Sequence, residues 1–482
     1  MTLITKRRQR SNMTQPQLSR TTFPDLPIYP EKMIQFGEGN FMRAFVDWQL
    51  QQMNNKGLFQ GSAVLVQPIE QGLGDMLAKQ DYLYTVLLNG IMQQQTVNDH
   101  EIITSVSRVI NPYSDYEGYL ALAENDELEF ITSNTTEAGI AYRPEDRLAD
   151  APPKSFPGKL TALLHKRFQL GKKGFTIIPC ELIDRNGEKL KEVVLQYAND
   201  WQLGEAFIQW LEQENTFCCS LVDRIVPGYP RDKAQALAED LGYQDNLMVT
   251  AEPFLFWVIE GPASLSERLP LAKAGLNVVV TEDMTPYRER KVHLLNGPHT
   301  AMVPLALLAG LETVEDVMND ATYSVFVRNL IEEELIPMLD LPKEELQSYA
   351  EAVQERFKNP FIRHELTSIS LNSISKFKTR LLPVLLRYQQ EKGELPKLTT
   401  LSFAALLLSY RGDKIERQDG AEVIAVFDEA WSRPDEFVAT ILKDASLWGE
   451  DLTEVPDLVQ AIEGYLQQLE ASGSRTALQQ LI

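Results

Sequence analysis

The sequence predicts an α/β chain with a doubly wound N-terminal domain followed by an all-helical C-terminal domain. Three observations carry this. Short β-rich runs at 32–36, 63–67, 130–133, 175–178 and 277–280 alternate with helical stretches, the pattern of a parallel sheet covered on both faces. After about Asp283 the β-branched runs nearly vanish and helical patterning takes over. Gly37-x-Gly39 falls between the first strand and the first helix, where backbone N–H groups and a helix N-terminus meet a pyrophosphate.

Taken in order, residues 1–22 read as a polar, disordered tail. Lys6, Arg7, Arg8 and Arg10 suggest a signal n-region, but no apolar stretch follows them, and Met13 offers an alternative start. Residues 23–283 form the predicted α/β domain, opening with the strand Lys32 to Phe36, the glycines and an amphipathic helix from Arg43 to Asn55. Pro227-Gly228-Tyr229-Pro230 marks a turn within it. Residues 284–482 form the helical domain, with helices expected at 300–309, 321–338, 343–357, 374–392 and 401–410. A substrate cleft between the two domains is expected next to that boundary.

Composition narrows the function. The 482 residues suffice for two or three domains. A net charge of −22 argues against nucleic acid or an anionic membrane as partner. No apolar run reaches the length of a membrane span, and no heptad seam favours a coiled-coil assembly. Cys180, Cys218 and Cys219 are the three cysteines, too few to pair fully, which fits a reduced, cytoplasmic setting. The five histidines include no His-x-x-x-His pair, and Cys218-Cys219 lacks the spacing of a zinc loop, so metal-independent chemistry is expected.

Residues 291–299 read Lys-Val-His-Leu-Leu-Asn-Gly-Pro-His. On a regular helix Lys291, Asn296 and His299 lie at about 0°, 140° and 80° around the axis. A secondary alcohol losing a hydride needs such a set, a base for the O–H proton and polar partners for the oxyanion. The same residues also read as an N-cap at Asn296, a core histidine and a solvated lysine.

The spacing Lys-x4-Asn-x2-His resembles the catalytic motif of the mannitol dehydrogenase family of long-chain polyol dehydrogenases. Val222-Asp223-Arg224-Ile225-Val226-Pro227, Gly37-Glu38-Gly39-Asn40-Phe41, Gln80-Asp81-Tyr82 and Arg356-Phe357-x-Asn359-Pro360 resemble further landmarks, in family order. The closest likeness is to a sugar-acid branch. It is carried by Ile34–Phe41, Ser133–Gly139, Pro179–Asp184 and Pro286–Lys291. The resemblance implies a Rossmann-like N-terminal domain that binds NAD, and Lys291, Asn296 and His299 as catalytic residues. It implies interconversion of tagaturonate and altronate in galacturonate breakdown; the fructuronate/mannonate pair or a polyol or polyol phosphate are the alternatives.

The same resemblance assigns the cofactor to Ile34, Gln35, Phe36, Gly37, Glu38, Gly39, Asn40, Phe41, Met42, Arg43, Ala44 and Phe45. A third glycine is missing, as in the family, because position 42 is Met42. Without the resemblance, Gly37-x-Gly39 also reads as a tight turn needing positive φ. Arg43 is expected either near the phosphates or paired with Asp47 one turn on. The second strand ends Val66-Gln67-Pro68-Ile69-Glu70, where the mannitol branch carries an aspartate near position 67, so Glu70 is the nearest acidic substitute. No Arg or Lys occurs at 63–78, which favours NAD over NADP.

Other departures bear on the substrate. Leu182 stands where the mannitol branch has a second oxyanion asparagine, and Asn186 and Asn134 are the candidates to compensate. Ser368 replaces an arginine, and Arg288 a glutamate. Asp223 and Arg224 read equally as an ion pair positioning the Lys291 helix or as structural residues. A substrate carboxylate needs a local cation, and Lys376, Arg380, Arg363 and Lys378 lie in the densest basic stretch after the Lys291 motif. Lys376 and Arg380 share a helix face and are the favoured pair; a solvated basic stripe is the competing reading. A free lysine titrates near about 10.4, so a lysine base must be depressed by burial beside the nicotinamide cation.

Overall fold

The computed structural model describes residues 15–136, 138–361 and 363–482 of the protein. It divides into two compact units, Met1–Asn89 with Asn98–Met284, and Gly90–Val97 with Thr285–Ile482. Most of the expected tail, with Met13, lies outside the described residues. The part within them differs from expectation. Leu18 is fully buried against Leu83 and Tyr243, and the Arg20 N–H bonds the Asp81 carboxylate at 2.8 Å. Burial of Leu18 and backbone bonds that Pro16 and Leu18 make with Gln244, both at 2.8 Å, hold this stretch down.

The first unit contains strands β1 (Glu31–Phe36), β2 (Ser62–Val66), β3 (Tyr84–Met92), β4 (Gln95–Ile103), β5 (Val106–Ile110), β6 (Phe130–Ser133), β7 (Thr176–Pro179), β8 (Thr216–Phe217), β9 (Cys219–Asp223), β10 (Val249–Ala251), β11 (Phe256–Glu260) and β12 (Val278–Thr281). The tip of the β3–β4 hairpin, Gly90–Val97, groups with the second unit, where the N–H groups of Gln93 and Gln94 bond Glu355. The main sheet is parallel in the order β5-β2-β1-β6-β7-β8.

Alternate residues of its central strands enter different cores, as a period of two requires. Ile34, Phe36, Val64, Val66, Ile131 and Ile177 pack on one side, beside helices Phe156–Gln169 and Asn186–Asp200. Met33, Ala63, Leu65, Phe130 and Ile178 pack on the other, with Phe45, Leu50 and Trp257. Both faces are therefore covered, which is why these strands read as near-continuous apolar runs.

The strand expected at 277–280 exists as β12, but outside the main sheet. It pairs in parallel with β11, which pairs antiparallel with β9, in a separate three-stranded sheet. Local pattern specifies a strand; it does not say which edge accepts it.

The second unit's described elements beyond the hairpin tip are all helical. Helix Lys397–Ser409 is buried on nearly every side and packs against Gly297–Leu308 and Leu458–Gln479. The expected helix at 343–357 has those bounds, and 321–338 is one continuous helical run. The expected 374–392 helix is two, Ser373–Arg380 and Leu382–Lys392. Leu381, at φ −123 and ψ −37, departs from helical geometry, and Pro383 falls in the first turn of the second helix, where its missing N–H has no intrahelical bond to lose.

Candidate active site

β1 ends in a turn whose geometry fits a dinucleotide. Gly37 has φ +110, and a Cβ there would lie 2.8 Å from the Asn134 carbonyl oxygen. Only glycine satisfies both conditions. At Gly39 an added Cβ meets nothing within 4 Å, so this backbone lies open to a ligand. Gly39 precedes a continuous helical run from Asn40 to Asn55, with a π turn at Arg43–Asp47.

The twelve residues assigned to the cofactor divide sharply by access. Gly39 and Asn40 are exposed and Phe41 is partly exposed, stacked on Phe45 at 4.8 Å. Ile34, Phe36, Met42, Ala44 and Phe45 are core. Gln35 donates to the Gly37 carbonyl at 3.1 Å and so braces the turn from beneath. Glu38 is buried and accepts the Leu73 N–H at 3.0 Å, joining the turn to the loop after β2; burial raises its pKa.

Arg43 follows neither expected course. Its guanidinium is 2% exposed and donates to the Glu38 and Leu247 carbonyls and to Asn40 Oδ1. Asp47 instead accepts from Tyr84 at 2.7 Å and Gln35 at 3.4 Å, and burial pushes its carboxyl up to about 7. A buried carboxyl of that kind is easily neutralised, so the arginine gains more from carbonyls that need a donor. Arg224 likewise donates to the Glu252 and Ala44 carbonyls and lies 4.4 Å from the Trp48 ring centre. It braces the helix behind the glycine turn.

A groove opens at the ends of β2 and β5, lined by residues that include Gln67, Glu70, Gly72, Asp75, Asn111 and Asp115. Among the described residues that line it there is no lysine or arginine. Gln67 donates to the Ile69 and Glu70 carbonyls, both at 2.9 Å, and so shapes the loop itself.

Across the sheet, the loops after β6 and β7 are bound together. Glu181 is 2% exposed and accepts from Ser133 Oγ at 3.0 Å and from the Thr135 N–H and hydroxyl at 3.0 and 2.9 Å. Sequence reasoning gave it no role. The available signal was an acidic residue directly after a buried strand, a place where charge needs a reason. Of the candidates for a second oxyanion donor, Asn186 is fully buried and bonds the Pro179, Glu181 and Ser220 carbonyls. Asn134 Nδ2 donates to the Cys180 carbonyl at 2.9 Å. Leu182 is 61% exposed.

In the second unit, Lys291 ends helix Thr285–Lys291, a π turn follows at Val292–Asn296, and helix Gly297–Leu308 continues. Asn296 has helical φ/ψ and makes no side-chain cap bond, so the N-cap reading is not realised. The π turn changes the phase of the motif. One extra residue in a turn sets everything after it back by about 100°. Relative to Lys291, Asn296 and His299 then fall near about 40° and −20°, a much tighter set than a regular helix gives. His299 is buried, with its ring centre 4.2 Å from that of Phe357 and 4.9 Å from that of His364.

Thr300, also missed in the sequence, links this helix to the basic segment. Its hydroxyl donates to the Asn296 carbonyl at 3.0 Å and accepts from Arg380 Nη1 at 3.2 Å. Lys376 donates to the Ile369 carbonyl at 2.8 Å, and burial, then the Arg380 charge, lowers its pKa. Arg363 pairs with Glu312 at 3.2 Å and with Glu365. The described residues contain one metal-like cluster, Glu188, Cys219 and Glu260. Arg185 already bonds both of its carboxylates.

Comparison with known proteins places these features in a family. Residues 31–273 match the mannitol dehydrogenase Rossmann domain and residues 283–470 the mannitol dehydrogenase C-terminal domain. An altronate oxidoreductase of Bacillus subtilis is 48% identical over 96% of this chain and 98% of its own length. One from Yersinia enterocolitica is 48% identical over 96% of this chain and 99% of its own. Among solved structures, a mannitol 2-dehydrogenase of Pseudomonas fluorescens, in ternary complex with NAD and D-mannitol, shares the fold with TM-score 0.68 and 24% identity, covering 97% of this chain and 96% of that one. A D-sorbitol dehydrogenase in substrate-free form shares it with TM-score 0.79 and 21% identity, over 96% of this chain and 100% of that one. With both family domains matched in order along one polypeptide, the chain belongs to the mannitol dehydrogenase family.

Proposed function

We propose that this dehydrogenase uses NAD to interconvert tagaturonate and altronate, a step in the breakdown of galacturonate. The altronate oxidoreductases that share 48% of its residues over nearly its whole length support the substrate class. The observation that carries the reading is the Arg380–Thr300 hydrogen bond. It holds a cation one helical turn from Asn296, where a carboxylate-bearing substrate gains an ion pair that a neutral polyol does not.

Gly37, Gly39, Asn40 and the acidic groove after β2 would hold the cofactor. A bound nicotinamide supplies the hydride in reduction and accepts it in oxidation. Lys291 gives its proton to the developing alkoxide in reduction and removes it in oxidation. Asn296 and His299 donate hydrogen bonds to the oxyanion. No step needs a metal ion.

Two expected results follow. NADH should exceed NADPH by at least about tenfold in kcat/KM, because Glu70, Asp75 and Asp115 in the groove oppose a 2′-phosphate. Steady-state rates with both cofactors check this, and equal use contradicts it. Arg380→Ala and Lys376→Ala should each raise the KM for tagaturonate at least about tenfold with a smaller change in kcat, since an ion pair present in ground and transition states contributes uniform binding. Unchanged KM in both variants would remove the carboxylate assignment.

A further inference from the structure

The order β5-β2-β1-β6-β7-β8 reverses direction between β1 and β6. In open parallel sheets the ligand crevice lies outside the carboxyl ends of the strands at such a reversal. One side carries the glycine turn and the acidic groove. The other side, β6 and β7, carries Ser133, Asn134, Thr135 and Glu181.

These residues form a closed unit. The Cys180 N–H bonds the Ser133 carbonyl at 2.7 Å, and the Asn134 N–H bonds the Phe36 carbonyl at 3.0 Å. The Asn134 carbonyl sits against Gly37, where a Cβ would come within 2.8 Å. Glu181 thus anchors a loop that itself abuts the glycine turn. All three of its side-chain bonds come from neutral donors, and among the described residues no lysine or arginine pairs with it. Three such bonds favour the carboxylate form, although burial, the larger effect, raises its pKa. Most buried carboxylates have a cationic partner, because an unpaired buried charge is costly. Whatever charge Glu181 carries is therefore uncompensated among the described residues.

We propose that Glu181 is a positioning residue for the nicotinamide end of the cofactor. It fixes the Ser133–Thr135 loop, and its charge favours the cationic oxidised ring over the neutral reduced one. The inference rests on the reading that a nicotinamide dinucleotide binds at this crevice.

The test measures dissociation constants of NAD+, NADH and ADP-ribose by calorimetry, on the full-length wild type and on Glu181→Gln. ADP-ribose lacks the nicotinamide and reports on the other half of the crevice. Glutamine can keep the geometry, its oxygen accepting from Thr135 and its amide donating to Ser133, while removing the charge. The expected result is at least about a threefold loss of NAD+ affinity relative to NADH, with ADP-ribose unchanged. An unchanged NAD+/NADH ratio in the folded variant overturns the proposal, as does an equal loss for all three ligands. If Glu181→Gln does not fold, Ser133→Ala removes one hydroxyl donor from the same clamp. It should weaken both dinucleotides at least about threefold and spare ADP-ribose, and no change would again overturn the proposal. Failure of the wild type to bind any of the three overturns the cofactor reading itself, a result distinct from an unaltered ratio.

Discussion

Lys291→Ala is expected to lower turnover by at least about a hundredfold while NADH binding survives. The effect is large because the alkoxide formed on hydride transfer needs a proton at once, and water is a poor and badly placed donor. Binding should survive because the glycine turn and the groove after β2 belong to the first unit, whereas Lys291 belongs to the second. Single-turnover rates at saturating NADH, with NADH titrated separately, distinguish chemistry from binding. Near-normal turnover in the purified variant would end the acid/base role.

Asn296→Ala should cost about 2.7–4 kcal/mol of barrier if the amide is an oxyanion donor. The structure separates this from a capping role, because Asn296 lies inside a helical run and makes no cap bond. Its melting temperature should therefore change little, in contrast with the stability loss of about 1 kcal/mol usual for a lost N-cap. A variant with normal turnover and a lower melting temperature would reverse the assignment. Thr300 bonds the Asn296 backbone, not its side chain, so the substitution leaves the link to Arg380 in place.

Much of this architecture was legible in the chain. The four central strands announced themselves as apolar runs because both of their faces are buried, and Gly37 stood out because a turn of positive φ follows β1. Helices at 321–338 and 343–357 carry an unmistakable helical pattern. What escaped depends on tertiary pairing or on small changes of phase. β12 has the composition of a main-sheet strand, yet β11 is its partner. The π turn at Val292–Asn296 leaves no mark in composition, although it decides whether Lys291, Asn296 and His299 share a face.

Burial likewise overrode sequence expectation at charged positions. Arg43 is close enough in sequence for an ion pair with Asp47, but its guanidinium bonds the Asn40 amide oxygen and two backbone carbonyls, one of them some two hundred residues away at Leu247. Glu181 gained its meaning only when β6 and β7 were seen side by side. Such contacts join residues far apart in the chain, where spacing carries no signal.

The central claim is that the substrate is a keto sugar acid held by a fixed cation. The direct measurement is the initial rate of NADH oxidation with tagaturonate, fructuronate and fructose, compared under one set of conditions. The expected result is the highest kcat/KM for tagaturonate and at least about a hundredfold less for fructose, because fructose leaves Arg380 without its anionic partner. Fructose turning over as well as tagaturonate would contradict it and make the chain a polyol dehydrogenase.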